Sequence, residues 1–213
     1  MDGKLVQLVP MEAEEHAEAL FEANQLDTEG TNWAYLPYGP FADLKSYHSW
    51  VRENQGLEDP VFLAIVEKES GDPLGIASYL RIHPAEGSIE VGHIHFSPLL
   101  QRTTSATESM FLMMQWAFEA GYRRYEWKCN ALNQASRRAA QRLGFSFEGI
   151  FRQMMIVKGR NRDTAWFAAI DREWPALKTA FERYLDEKNF DEEGKPVTSL
   201  SSLTAPLLHK KDV

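Results

Sequence analysis

A single cysteine, Cys129, stands among 213 residues, so no internal disulfide can form and no cysteine-built metal site is available. A reducing compartment suits such a chain. Apolar runs are short, and none approaches the roughly 18 residues that would span a bilayer. The opening MDGKLVQLVPMEAEEH has neither the basic stretch nor the apolar centre of a secretion signal. The expectation is a cytoplasmic protein with no membrane-inserted segment. Basic residues are outnumbered, 23 Lys and Arg against 31 Asp and Glu, for a net charge of −8. That balance opposes nucleic-acid binding, because a phosphate backbone is repelled and few counterions are released. It suits cationic small molecules or basic peptides, and equally a charge that only keeps the chain soluble. Internal repeats are also lacking.

What is present fits one compact core, since 44% of the residues are hydrophobic and 25% charged. Ala13, Ala17, Leu20 and Phe21 recur at helical spacing over 12–24, and Asp43 is placed to cap a second helix over 44–54. Between them lies WAYLPYGPF, whose Trp33, Tyr35, Tyr38 and Phe41 either pack on the core or line a pocket. Strand-like runs follow at 61–67, 73–82 and 88–96, separated by the turn signals SGDP and HPAEG, which reads as an antiparallel meander. Met110, Met113, Met114, Ala117 and Phe118 then mark a helix face ending at Gly121. A strand at 125–129, a helix at 134–143, strands near 146–157 and 164–170, and a helix at 173–188 complete the alternation. Residues 189–213 show no sustained period and read as a mobile tail, leaving 1–188 as a single domain.

Two segments carry chemistry. In SIEVGHIHFSPLLQRTTSATESMF a strand passes through a short loop into a helix, and a helix N-terminus offers unpaired N–H groups and a positive dipole to a phosphate. The small side chains of Thr103, Thr104, Ser105 and Ala106 allow an anion to approach the backbone. The competing reading is a capping box, Ser105 with Glu108, that only starts the helix. In CNALNQASRRAAQRLGFSFEG, Asn133 is placed as a helix cap, Ser136, Ala139, Ala140 and Leu143 share a helix face, and Gly144 ends it.

Together, Q-x-x-[small]-x-[G/A] at 101–106 and N-x-x-S-x-x-A-x-x-x-L-G-F-x-x-E-G at 133–149 resemble the GNAT acetyltransferase superfamily, in its RimJ/RimL-like branch. The resemblance covers about 5–185, with its specificity in 88–153. It implies an α+β fold: a twisted, mostly antiparallel sheet of seven strands flanked by helices, with a splayed strand pair at the acetyl-CoA site. It further implies that the strand end at Phe96 and Ser97 pairs with the pantetheine amides through its backbone. Gln101 matches the first motif position, and the N–H groups of Arg102, Thr103, Thr104, Ser105 and Ala106 would cradle the pyrophosphate. Thr104 stands where the family usually has glycine. Asn133 would touch the pantetheine arm, and Ser136 resembles the serine placed near the CoA sulfur as a general acid. The tyrosine acid of many members has no counterpart, since Ala140 occupies its place.

Acetyl transfer to an amine needs a proton acceptor and a donor for the leaving thiolate. Glu90, eleven residues before Gln101, resembles the carboxylate base of some members. Otherwise it is a solvated strand residue or an ion-pair partner of Arg81 or Arg152. His93 and His95 are its rivals, and strand parity sets them on the face opposite Glu90 unless a bulge intervenes. As a metal pair they lack a third ligand, so no metal is expected. Cys129 reads as a buried structural thiol. The expected activity is acetyl-CoA-dependent N-acetylation of a primary amine, on a small molecule or a protein N-terminus, by direct attack in a ternary complex. A homodimer stays open. The alternatives are an acetyl-CoA sensor without turnover and an interaction protein of this fold.

Overall fold

The computed structural model describes residues 1–212. Seven strands form a sheet in the order β1-β2-β3-β4-β5-β7-β6. The chain divides into two compact units, the first comprising Met1–Ile82 and Glu90–Met113, the second His83–Ile89 and the chain from Met114 onward.

The first unit holds β1 (Val6–Pro10), α1 (Ala13–Gln25), α2 (Leu44–Asn54), β2 (Val61–Glu67), β3 (Pro73–His83) and most of β4 (Ser88–Phe96), with the start of α3 (Thr104–Glu119). β1 pairs antiparallel with β2, and β2 with β3, placing Leu8 opposite Ile65 and Ala64 opposite Ile76. α2 starts at a reciprocal capping box, with Asp43 and Ser46 each satisfying the other's N–H. Met11, Ala17, Leu20, Trp33, Tyr47, Val51, Phe62 and Ile76 form the core, against which Tyr38, Phe41 and Trp50 pack. Most of the aromatic loop is therefore packing, while Tyr35 stays 39% exposed.

β1 was not expected as an element: VQLVP is five residues long and ends in proline. Its alternation is nonetheless clean, with Val6 and Leu8 buried. Its start is held by Glu108 of α3, a buried carboxylate that accepts from the N–H groups of Lys4, Leu5 and Val6 at 2.9, 2.7 and 2.9 Å. The capping box of Ser105 and Glu108, the competing reading of this loop, is not formed. Glu108 is committed to β1, and the helix start is capped by Thr103, whose Oγ1 accepts from Ala106 N–H at 3.0 Å.

The second unit holds β5 (Arg124–Asn130), α4 (Gln134–Arg142), β6 (Ser146–Val157), β7 (Arg160–Ile170), α5 (Trp174–Leu185) and α6 (Leu200–Thr204). β5 and β6 both pair antiparallel with β7. Tyr125, Trp127 and Cys129 point inward at period two, so Cys129 is a buried thiol. α4 ends where Gly144, at φ +90°, lets Phe145 N–H reach Ala140 O. A side chain there would lie 2.3 Å from Leu177, so the position needs glycine twice over.

The mobile tail expected at 189–213 is corrected as well. Ser199 caps α6, Leu200 and Thr204 are buried, and Thr204 Oγ1 donates to Arg142 O at 3.0 Å. Lys210 O accepts from Phe147 N–H, and Asp212 pairs with Arg137. A few anchored side chains fix the segment without any periodic pattern, which is why composition missed them. Val213 lies outside the described residues. Among the described residues no helix is long and apolar enough to cross a membrane.

Candidate active site

β4 carries three of the expected residues into different surroundings. Glu90 is 3% exposed and accepts from Arg81 Nη1 at 2.8 Å, so the ion pair considered from the sequence is formed. Arg81 itself sits at φ +48°, a conformation held by Asp59, whose carboxylate takes the N–H groups of Arg81 and Ile82. Gly92 lies on the same side as the carboxylate: a Cβ there would be 3.7 Å from Glu90 Oε1 and 2.8 Å from Leu80.

His93 lies at φ +50°, so the backbone departs from regular strand geometry there and face assignment by parity does not carry past it. Its Nδ1 stands 3.3 Å from Tyr38 Oη, with the two rings stacked at 5.6 Å. His95 is 3% exposed and stacked on Trp33 at 3.7 Å. Burial pushes its pKa down to about 4, with the Asp27 carboxylate opposing, so the imidazole is neutral at neutral pH. Among the described residues no group of three His, Cys, Asp or Glu is placed to hold a metal ion.

The loop after β4 is braced from within. Gln101 Nε2 donates to Phe96 O at 2.8 Å, Ser97 N–H donates to Leu74 O, and Ser97 O accepts from Leu100 and Gln101 N–H. Phe96 and Ser97, expected to offer backbone groups to the pantetheine amides, thus spend most of them inside the protein, because the loop must fold back to start α3. In the expected cradle, Thr103 N–H is taken by Leu100 O and Ala106 N–H by Thr103 Oγ1. The N–H groups of Arg102, Thr104 and Ser105 remain at the positive end of α3. The left-handed position is Arg102, at φ +64°, while Thr104 is the first residue of the helix, so a threonine in the usual glycine place carries no backbone strain.

In the second unit, Asn133 caps α4, its Oδ1 accepting from Ser136 N–H at 3.0 Å. Trp127 Nε1 donates to Ser136 Oγ at 3.0 Å. An indole N–H only donates, so Ser136 must accept, and its own hydrogen is turned elsewhere. Cys129 is a neighbour: burial raises its pKa, and Ser136 pulls it partly back.

Residues 6–146, more than half of the chain, match the family model of the acetyltransferase (GNAT) domain. The chain belongs to the GNAT acetyltransferase family. It is 44% identical to a GCN5-related N-acetyltransferase from Brucella melitensis, with a TM-score of 0.93 over 96% of this chain and 93% of that one. It is equally 44% identical to a protein described as a probable acetyltransferase of the GNAT family from Chromobacterium violaceum, with a TM-score of 0.77 over 82% and 87% of the two chains. An acetyl transferase from Salmonella typhimurium that modifies the N-terminal serine of ribosomal protein L7/L12 shares the fold at 21% identity, with a TM-score of 0.67 over 79% and 96%. No curated protein matches at a significant level. The expected mixed α/β GNAT fold and the acetyltransferase class are thereby shown.

Three contacts position these side chains; the sequence offers Arg81 as a partner of Glu90 and Thr103 as part of the cradle, but does not single out Trp127. Trp127 orients Ser136, Arg81 holds Glu90, and Thr103 caps α3. Only Thr103 had a local signal, as one of three successive hydroxyl residues before a helix. The other two pairings depend on tertiary apposition.

Proposed function

We propose that the enzyme transfers acetyl from acetyl-CoA to a primary amine by direct attack in a ternary complex, as RimJ/RimL-like members do. The observation that carries this reading is the start of α3, where Thr103 caps the helix and leaves Arg102, Thr104 and Ser105 N–H at the positive end of the dipole. These groups fit a pyrophosphate. Asn133, whose Oδ1 is bound to Ser136 N–H, offers its Nδ2 to the pantetheine arm. Ser136, accepting from Trp127, gives its proton to the departing thiolate. Glu90 takes the proton released by the amine through water, with His93 as the rival. His95 is the weakest of the three, since burial makes it a poor proton acceptor. A cytoplasmic setting belongs to the same reading.

A thermal-shift titration with acetyl-CoA, followed by a thiol-release screen over small amines and N-terminal peptides, tests it. Stabilisation with amine-dependent thiol release is the expected result. Stabilisation without release would mean a sensor, and no shift would sink the donor assignment.

The reading includes a homodimer. β6 exposes a run of apolar side chains, with Phe151 and Met154 each 49% and Ile156 81% exposed, which is costly for a monomer in water.

A further inference from the structure

α4 meets the core only in its second turn: Gln134 and Ala135 are exposed and Ser136 and Arg137 half-buried, whereas Ala140 is buried. A nine-residue helix is marginal by itself, so polar contacts must fix where its first turn sits. The far end is pinned by α6, through Thr204 Oγ1 on Arg142 O at 3.0 Å. At the near end, Arg137 reaches in two directions. Its Nη1 donates to Ala131 O at 3.0 Å, in the loop between β5 and Asn133. Its Nε and Nη2 form a fork onto the two carboxylate oxygens of Asp212. The two side chains are 12% and 5% exposed, so water screens the pair little and the fork holds it to one orientation. Asp212 also donates its N–H to Gln141 Oε1 at 2.9 Å, one turn further along α4. The segment before it is docked on the start of β6, His209 N–H donating to Ser146 Oγ at 2.8 Å and Lys210 O accepting from Phe147 N–H at 3.0 Å.

Asn133 and Ser136 lie inside the stretch that Arg137 clamps, between the Ala131 carbonyl and the fork. We propose that Asp212 is a positioning residue for acetyl transfer, acting through Arg137 to hold the β5–α4 loop so that Asn133 Nδ2 and Ser136 Oγ meet the pantetheine arm and its sulfur. An arginine suits this task because its planar guanidinium binds a carboxylate along one edge and a carbonyl with the remaining arm, whereas an ammonium is a point charge without that fork. Stabilising α4 alone would not require the Ala131 contact, since Asp212 already bonds the helix at Gln141. The contact joins Asp212 to the loop that carries the helix cap. This deepens the acetyl-transfer reading and rests on its assignment of Asn133 and Ser136 to the donor arm.

The test is a calorimetric titration of the full chain with acetyl-CoA and with 3′-phospho-ADP, the part of CoA that lacks the pantetheine arm. Arg137→Met combined with Asp212→Leu replaces the ion pair by apolar side chains of similar volume, an exchange that often leaves stability nearly unchanged. It should weaken acetyl-CoA about tenfold and 3′-phospho-ADP by less than about twofold. Damage to the fold would weaken both ligands alike, so equal losses, or an unchanged acetyl-CoA affinity, overturn the positioning role. Arg137→Lys keeps the charge pair without the fork and should show the same selective loss at about threefold; where the double variant does not fold, the absence of that loss overturns the role. Asn133→Ala and Ser136→Ala are the reference. Selective loss in these with none in the clamp variants overturns this proposal alone. No loss in any variant, or no binding of acetyl-CoA by the unaltered chain, sinks the donor-arm assignment and the proposal with it.

Discussion

His95 makes the stability of this protein depend on mildly acidic pH. Its folded pKa of about 4 lies below the ordinary 6.5, because burial against Trp33 disfavours the imidazolium more than Asp27 favours it. The sign follows from proton counting. Between these two values the unfolded chain binds a proton at this site and the folded chain does not, so acid favours unfolding. The contribution is fully present above the unfolded value and is lost as pH falls toward the folded one. Moving from about pH 7 to about pH 5 should cost about 2 kcal/mol at this residue. His95→Phe keeps a ring against Trp33 and removes the titration. Urea unfolding of both proteins at the two pH values isolates the difference, since the carboxylates titrate alike in each. The variant should lose about 2 kcal/mol less than the wild type. Equal losses, within about 0.5 kcal/mol, would refute the assignment of a buried neutral imidazole.

Glu108→Gln should destabilise by about 2–4 kcal/mol, lowering Tm by roughly 5–10 °C, because one of the two oxygens that accept from the N–H groups of Lys4, Leu5 and Val6 becomes an N–H donor. A shift under about 2 °C in calorimetry would show that water replaces the carboxylate. Gly144→Ala and Gly121→Ala share a left-handed backbone, at φ +90° and +93°, but only the first meets a neighbour. The first should cost about 2–4 kcal/mol and the second about 1, so equal denaturation midpoints would remove the Leu177 clash as a cause. Ile156→Glu should shift the proposed dimer to monomer in light scattering, and an unchanged mass would place self-association elsewhere.

Legibility followed the range of the interactions involved. The helix periods, the Asp43 and Asn133 caps and the glycine stops at 121 and 144 were readable because each is decided within a turn or two. β1 was not, since its partner β2 lies far along the chain and its own five residues carry little pattern. The Ser105–Glu108 box failed for the same reason: the Glu108 carboxylate answers to N–H groups at positions 4–6, which no local window contains. The tail failed because anchoring needs only a few residues such as Leu200 and Asp212. In the candidate site, the motif residues were located by resemblance, while their tuning partners Arg81, Tyr38, Trp33 and Trp127 were set by packing.

That tuning bears on how the proposed base can work. An alkylammonium with a pKa near 10 gives up its proton to a group of pKa about 4 only at a cost of roughly 8 kcal/mol, so His95 cannot deprotonate one before attack. A carboxylate of ordinary pKa faces a similar gap, and Glu90 is paired with the Arg81 guanidinium at 2.8 Å. A charged, buried carboxylate is better suited to attract the cationic amine and then take, through water, the far more acidic proton of the tetrahedral adduct. The free amine must then come from solution equilibrium. Activity should accordingly rise with pH toward the acceptor's own pKa, and Glu90→Gln should lower kcat/KM by about a hundredfold without moving that profile. The KM for acetyl-CoA should stay as it was. Full activity in Glu90→Gln together with its loss in His93→Ala would transfer the role to His93, whose Nδ1 stands beside the Tyr38 hydroxyl.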